Sequence, residues 1–480
     1  MARHKLRHLH THRSPSVKCH TYFTPGILAA SLLFFLFFAI NKTISNSLWA
    51  DEFYMLIVSE MDFLKSLAQT TDYSAPLYQL VLKPIVASAG TGHLALRLPA
   101  MVFSIIGLMY FLALMKDLFD FETACFATAL IAVNPLFIHN AAEARPYTLL
   151  FCTTCASYYY YLLSTKSPGT LRGALYTLSS FAMVISHYYG YLVLASQFFH
   201  FAYLSILNKS WKTPFTRFFA LAIALATIAL ALPLRYLLEG APAASWMDRP
   251  APYSWYLGDL FHNGKIGALV CAAFVISLLA LFSQKLLPKP AEGDRHFPVA
   301  RTDLVALLLW TVLGFYSILL ITIVVKPIYT ARHFVFILAP AVALLFFGIS
   351  RLPRKAAILV SCALFFVQIH SSSRELFSTR HDFTSTVALL NTEKPGCVFV
   401  PYSPYGTHYA NPIHRGLLYY GYESASLARY DELGARPEVL RPGCKLVVFG
   451  KITKITKILK DKGIGFGTTT FGNMSVIAIL

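Results

Sequence analysis

The sequence predicts a polytopic α-helical membrane protein with about 11 spans and a small C-terminal α/β domain. Three observations predict it. First, 56% of the 480 residues are hydrophobic and only 13% are charged, an apolar excess that a soluble core does not need. Second, apolar runs recur at close to the ~20 residues that cross the hydrocarbon of a bilayer. Third, composition changes over residues 377–480, where turn residues separate short strand-like and helix-like stretches.

The runs lie near 24–41, 97–115, 123–140, 147–164, 173–189, 190–207, 216–237, 264–284, 304–325, 332–350 and 355–370. The first follows a basic, His-rich arm (residues 1–23) read as cytoplasmic. It lacks the small-residue cleavage pattern of a signal peptide and is taken as an anchored helix. The stretch 76–90 is short and holds Pro76, Lys83 and Pro84, which suits a re-entrant or interfacial helix. Charge then fixes the topology. With the arm inside and 76–90 uncounted, the linkers holding Lys166 and Arg172, Lys209 to Arg217, Lys285 to Arg301, and Arg351 to Lys355 are all cytoplasmic, as the positive-inside rule demands. Counting 76–90 as a span reverses every one of them. The formal net charge of +18 is thereby read as membrane orientation and not as a nucleic-acid surface. Residues 24–370 form the transmembrane domain, 42–96 its first outer loop, and 371–480 an outer-face α/β domain.

In the tail, helices are expected near 383–391 and 451–461, and strands at 397–401, 444–449 and 474–480. The stretch PYSPYGTHYANPIHR (401–415) is read as a turn-rich connection or as a loop that stacks on sugar faces. Cys397 and Cys444 each follow Pro-Gly and open a strand. A disulfide between neighbouring strands is one reading if the tail lies outside the cytosol. Cys152 and Cys155 sit within an apolar helix and are read as packing residues.

This topology collects the scarce polar residues on the outer side. Asp51 and Glu52 follow the first span. EARPY (143–147), SHYYG (186–190), the loop 238–263 and KPIYTARH (326–333) join them. Two acids in the first turn of a surface helix can simply complement its dipole. Alternatively, a carboxylate beside an apolar wall can act as a general base. Arg145, Arg332, Lys83 and Arg97 supply cations, and the planar fork of arginine suits phosphate. His333 adjoins Arg332. His187 offers a hydrogen bond or merely ends a helix. Asp248 and Arg249 lie in a Trp- and Tyr-rich loop that fits both an interfacial belt and a substrate loop.

The acidic pair is followed by APLYQLVLKPIVASAGTGHLALRLPAMVFSIIGLMYFLALMKDLF and then by ATALIAVNPLFIHNAAEARPYTLL. This ordered set resembles the GT-C membrane glycosyltransferases that use polyprenyl-phosphate sugars. It is most similar to the branch holding protein O-mannosyltransferases and lipid A aminoarabinose transferases. The resemblance covers residues 45–200; beyond them only YTARHFVFILAP, the helix-rich pattern and the tail support it. It implies that Asp51 of the acidic pair is the catalytic base and that Glu143, Arg145 and Tyr147 of the EARxY motif lie near the donor phosphate or the acceptor. With these, Glu52 and Glu143 are grouped with Asp51 as catalytic, and Lys83, Arg332 and His333 with Arg145 and Tyr147 at the donor phosphate. His187, Asp248 and Arg249 complete the set as substrate-loop residues. Relatives often carry His-Pro-Pro-Leu before the re-entrant helix; here Ser74, Ala75, Pro76 and Leu77 stand there, so no role of that histidine transfers.

The implied reaction moves a sugar from a polyprenyl-phosphate donor to a hydroxyl or amine of a lipid, glycan or protein, with inversion. The implied partners are that donor, its acceptor and membrane lipids, with no nucleic acid. No cofactor or metal is required, although two adjacent acids leave room for a divalent cation. The expected location is a plasma or inner membrane, with the site on the periplasmic, extracellular or lumenal side. The alternative is a transporter or flippase of lipid-linked glycans, which would place charges along several mid-span helices or in repeated halves.

Overall fold

The computed structural model describes residues 16–62, 75–230, 260–261, 263–282, 299–324, 331–376, 382–402, 407–422, 425–429, 442–449, 453–471 and 474–480. The chain begins with α1 (Ser16–Ser45), α2 (Ala50–Glu60), α3 (Leu77–Ala89), α4 (His93–Leu118), α5 (Phe121–Ala132) and α6 (Pro135–Ala141). It continues with α7 (Tyr147–Lys166), α8 (Thr170–Ser186), α9 (Gly190–Leu207), α10 (Thr216–Ala229) and α11 (Gly264–Phe282). Next come α12 (Arg301–Thr311), a π-helical turn (Val312–Tyr316), α13 (Ser317–Val324), a 3-10 segment (Ala331–Ile337), α14 (Leu338–Ile349) and α15 (Arg354–Leu376). The tail is α16 (Phe383–Glu393), β1 (Cys397–Tyr402), α17 (Thr407–Tyr419), β2 (Ala425–Arg429), β3 (Cys444–Phe449), α18 (Thr453–Asp461), β4 (Phe466–Phe471) and β5 (Met474–Ile479).

The architecture is the expected helical membrane bundle with a small C-terminal sheet, but the expected 11 spans are not confirmed. Among the described residues, six helical stretches are long and apolar enough to cross a bilayer, or seven if the bent pair α5–α6 is one span. The difference has physical causes. Helices α10 and α11 fall short in described length. Helix α7 buries Tyr, Thr and Ser side chains against other helices instead of lipid. The α5–α6 bend of 65° falls at Asn134-Pro135, where Asn134 caps the new helix by accepting from the Phe137 N–H at 3.1 Å. Helix α3 has 13 residues, only about 20 Å at 1.5 Å per residue, short of a ~30 Å hydrocarbon core.

The five-stranded sheet has the order β2-β1-β3-β5-β4. Strands β2, β1 and β3 run parallel, while β5 pairs antiparallel to β3 and β4. Alternate residues serve opposite faces. Val398, Val400, Val447 and Val476 pack with α16, α17, α2 and the start of α4, whereas Leu446, Val448 and Ile477 pack under Ile455 and Leu459 of α18. The segment read as a turn-rich loop over 401–415 is mostly helical from Thr407, and strands β2 and β4 were not foreseen. Tyr- and His-rich composition hid the helix: Ile413 and Leu417, one turn apart, are its buried anchors.

Cys397 and Cys444 are register partners across β1 and β3, with Cα atoms 4.7 Å apart, and form a disulfide. Replacing both with serine is expected to lower the stability of the tail by about 2–4 kcal/mol, read as an earlier melting transition of the full chain in detergent. Reductant should reproduce the shift in the unmodified protein.

Candidate active site

Helix α2 follows directly on the end of α1, so its first turn sits at one end of the helical bundle. Both acids lie in that turn, where the helix dipole favours negative charge. Neighbouring helix positions point about 100° apart, and Asp51 and Glu52 therefore meet different surroundings.

Glu52 is fully buried. Its Oε1 accepts from Arg97 Nε at 2.7 Å and from the Ala144 N–H at 2.8 Å. Its Oε2 accepts from Arg97 Nη2 at 2.6 Å and from the Trp49 N–H at 3.1 Å. Arg97, also buried, donates onward to the carbonyls of Thr43 (3.0 Å), Asn46 (2.9 Å) and Ser47 (2.9 Å). This pair ties the end of α1, the start of α2, α4 and the loop 142–146 into one unit. Arg97, grouped by sequence with the phosphate cations, is occupied here.

Asp51 faces the other way. Its Oδ2 lies 3.1 Å from Arg332 Nη2 and 3.7 Å from Arg145 Nη2. The Arg332 guanidinium lies over the Trp49 ring, 4.5 Å from its centre. Arg145 donates to the Tyr147 hydroxyl at 3.2 Å. Behind them stand ring contacts between Tyr147 and His333 (5.2 Å), His187 and His333 (5.6 Å), and His187 and Tyr189 (4.7 Å). His187 Nδ1 accepts from the Tyr189 N–H at 3.2 Å, which leaves Nε2 to carry the ring proton in the neutral form. Arg332 Nε and His333 Nδ1 are buried without a hydrogen-bond partner among the described residues.

The fold thus brings together Asp51, Arg145, Tyr147, His187, Arg332 and His333 from widely separated parts of the chain. Glu143 stands beside them, paired with His139 Nε2 at 2.8 Å. Lys83 does not join. Its Nζ donates to the carbonyls of Ser59 (3.2 Å) and Met61 at the far end of α2. Asp248 and Arg249 lie outside the described residues. Sequence reasoning missed Trp49 and Tyr189; each adjoins a motif that was singled out, and adjacency was the available signal. Among the described residues, no cluster of three or more His, Cys, Asp or Glu is placed to hold a metal ion.

The C-terminal unit supports the turn that carries the acids. Phe53 packs against Phe383 (5.4 Å) and Tyr419 (5.5 Å). The Leu48 N–H donates to the Tyr420 hydroxyl at 2.8 Å, and that hydroxyl meets His93 Nε2 at 2.9 Å. Burial pushes the Tyr420 phenol up to about 12, so the hydroxyl keeps its proton. Gly416 permits the approach: a Cβ there would stand 2.5 Å from the Phe383 ring and 2.9 Å from Phe53.

Comparison with known proteins bears on the fold. Residues 73–233 match the family described as dolichyl-phosphate-mannose-protein mannosyltransferase. A solved structure of ArnT from Cupriavidus metallidurans bound to undecaprenyl phosphate has a TM-score of 0.57 at 10% identity, covering 95% of this chain and 98% of that one. The apo form of the same protein gives 0.55 at 11% identity, with the same coverage. The archaeal oligosaccharyltransferase AglB from Archaeoglobus fulgidus, in complex with an inhibitory peptide and a dolichol-phosphate, gives 0.53 at 11% identity over 95% of this chain and 74% of that one. Comparison with curated protein sequences finds no significant match. The resemblance to the GT-C enzymes therefore holds in architecture along nearly the whole chain and in sequence family over about a third of it.

Proposed function

We propose that this chain transfers a sugar from a polyprenyl-phosphate donor to a hydroxyl or amine of an acceptor lipid, glycan or protein, with inversion at the anomeric carbon. The observation that carries the reading is the placement of Asp51 Oδ2 between Arg332 and Arg145, at 3.1 and 3.7 Å, where an apolar bundle ends. One carboxylate and two guanidiniums leave a net positive charge, and a phosphate complements it. The unpartnered Arg332 Nε and His333 Nδ1 add hydrogen-bonding capacity. Two proteins of the same fold hold lipid phosphates: undecaprenyl phosphate in one and dolichol-phosphate in the other.

In the proposed step, the acceptor O–H or N–H gives its proton to Asp51 as the heteroatom bonds to the anomeric carbon. The bond from that carbon to the phosphate oxygen breaks on the opposite face, and the bonding pair leaves with the lipid phosphate. Arg332 and Arg145 neutralise the charge that grows on the leaving group. Tyr147, His187 and His333 form the wall beside it. The lipid tail explains why so charged a site belongs on a bundle whose remaining surface is apolar. Two features support an outer-face site: basic linkers that the sequence topology puts on the opposite side, and a disulfide in the tail, which suits an oxidising compartment. Nothing in the matches favours the transporter reading.

The test is direct. Purified protein supplied with a mannosyl or aminoarabinosyl polyprenyl phosphate should release the free lipid phosphate only when an acceptor is present. Mass spectrometry of envelope glycans and lipids, with and without the gene, should show one glycoform lost. Release of lipid phosphate without any sugar-bearing product would remove the transferase reading. Cysteine labelling should reach positions 51 and 145 from the same side of the bilayer, opposite to position 355.

A further inference from the structure

Two departures from α-helical geometry meet beside the site. The span from Arg301 to Val324 is broken by the π turn Val312–Tyr316, closed by the Ser317 N–H on the Val312 carbonyl. The following span opens with seven residues of 3-10 helix, Ala331–Ile337, longer than the three or four usual for that form. In a 3-10 helix, residues three apart are eclipsed. Phe334 and Ile337 therefore share one face, and both meet the π turn. Phe315 stands edge-on to Phe334 at 5.6 Å. Gly314 lies against Ile337: a Cβ on Gly314 would stand 2.6 Å from Ile337 Cδ1 and 3.4 Å from Phe336 Cε2.

The turn has a consequence for register. A π turn inserts one extra residue into an α-helix and rotates all that follows by about 100°. Trp310, before the turn, stacks flat on Tyr158 at 3.9 Å. Gly314 and Phe315, within it, face the 3-10 segment. Ile337 is fully buried, and its Cδ1 is the atom that a side chain at 314 would have to displace. The same segment carries Arg332 on the Asp51 carboxylate and His333 against Tyr147.

We infer that the π turn is the seat that holds the 3-10 segment in place, and that Gly314, through its contact with Ile337, is a positioning residue for Arg332 at the lipid-phosphate site. The inference rests on the reading of Arg332 as a phosphate-binding group. On this inference a methyl at 314 displaces Ile337, and the displacement is passed along the short 3-10 segment to Arg332. Arg332 then leaves the Asp51 carboxylate.

The experiment uses the full-length chain in detergent and undecaprenyl phosphate as the probe, with binding and melting temperature measured side by side. Gly314→Ala should weaken binding about tenfold or more while the protein still melts cooperatively. Ile337→Val removes the Cδ1 that the new methyl strikes, so the double variant should recover binding to within about threefold of the parent. Should Gly314→Ala alone not accumulate, recovery of both folding and binding in the double variant supports the seat, and a folded double variant that does not bind overturns it. Normal binding by folded Gly314→Ala overturns it as well. Arg332→Ala separates the two layers. If it binds as the parent does, the phosphate reading itself fails; if it loses binding while Gly314→Ala does not, only the seat is wrong.

Discussion

Asp51→Asn should yield a folded protein that binds undecaprenyl phosphate and turns over about 10²- to 10⁴-fold more slowly. The amide is the same size as the carboxylate and still presents an oxygen to Arg332 and Arg145. It cannot take a proton from an acceptor hydroxyl at any useful rate. The electrostatics make the prediction sharper. Asp51, Arg145 and Arg332 sum to one net positive charge, and the amide raises that sum to two. Binding of an anionic lipid should therefore be unchanged or tighter while kcat collapses. Loss of affinity together with rate would mean that Asp51 shapes the site and does not act in the chemistry. A protein that only moved lipid-linked glycans would be nearly indifferent to the change, so transport and transfer assays on this one variant divide the two classes. Full turnover by Asp51→Asn would end the assignment of the base.

Much of this was legible in the chain because hydropathy and charge act over short ranges. Apolar runs located the bundle, and basic linkers placed Asp51, Arg145, Arg332 and His333 on one side of it before any contact was known. The strands expected at 397–401 and 444–449 were readable from their Pro-Gly entries and match β1 and β3 closely. What escaped notice depends on pairing at a distance. Nothing local distinguishes Arg97 from Arg332, yet one is consumed by Glu52 and backbone carbonyls and the other lies on Asp51. Lys83 likewise turns away, because the end of α2 offers it two carbonyls. The span count stays unconfirmed where helices bury polar faces in protein: Tyr158, Tyr161 and Tyr176 are satisfied by Ser196, Gln197 and His200 inside the bundle, and hydropathy does not record such partners. Helix α17 carries Pro412 and several His and Tyr residues, a composition that argued for a loop, and tertiary packing of Phe53 overrode it.

Glu52→Ala should fail in a different way from its neighbour, by loss of structure. Removing one member of a buried ion pair leaves the other charge uncompensated and costs about 3–5 kcal/mol. Here Arg97 would keep its carbonyl partners but lose the carboxylate, and the N–H groups of Trp49 and Ala144 would be orphaned as well. The expected result is a large fall in melting temperature and faster proteolysis of the loop 142–146, with turnover lost in proportion to the folded fraction. Glu52→Gln should rescue little, because its amide NH2 points donor to donor at the guanidinium. Exchanging the two residues should fail outright: a carboxylate at 97 would face the carbonyls of Thr43, Asn46 and Ser47. Replacing both by methionine removes the stranded charge, and such swaps are often neutral in stability. Yet the loop would no longer be tied to α2, so Arg145 would lose its fixed position and activity should stay low. The informative pair of measurements is melting temperature against kcat across these variants. If Glu52→Ala melts like the parent and is inactive, Glu52 takes part in the reaction itself, and the division of labour between the two adjacent acids is reversed.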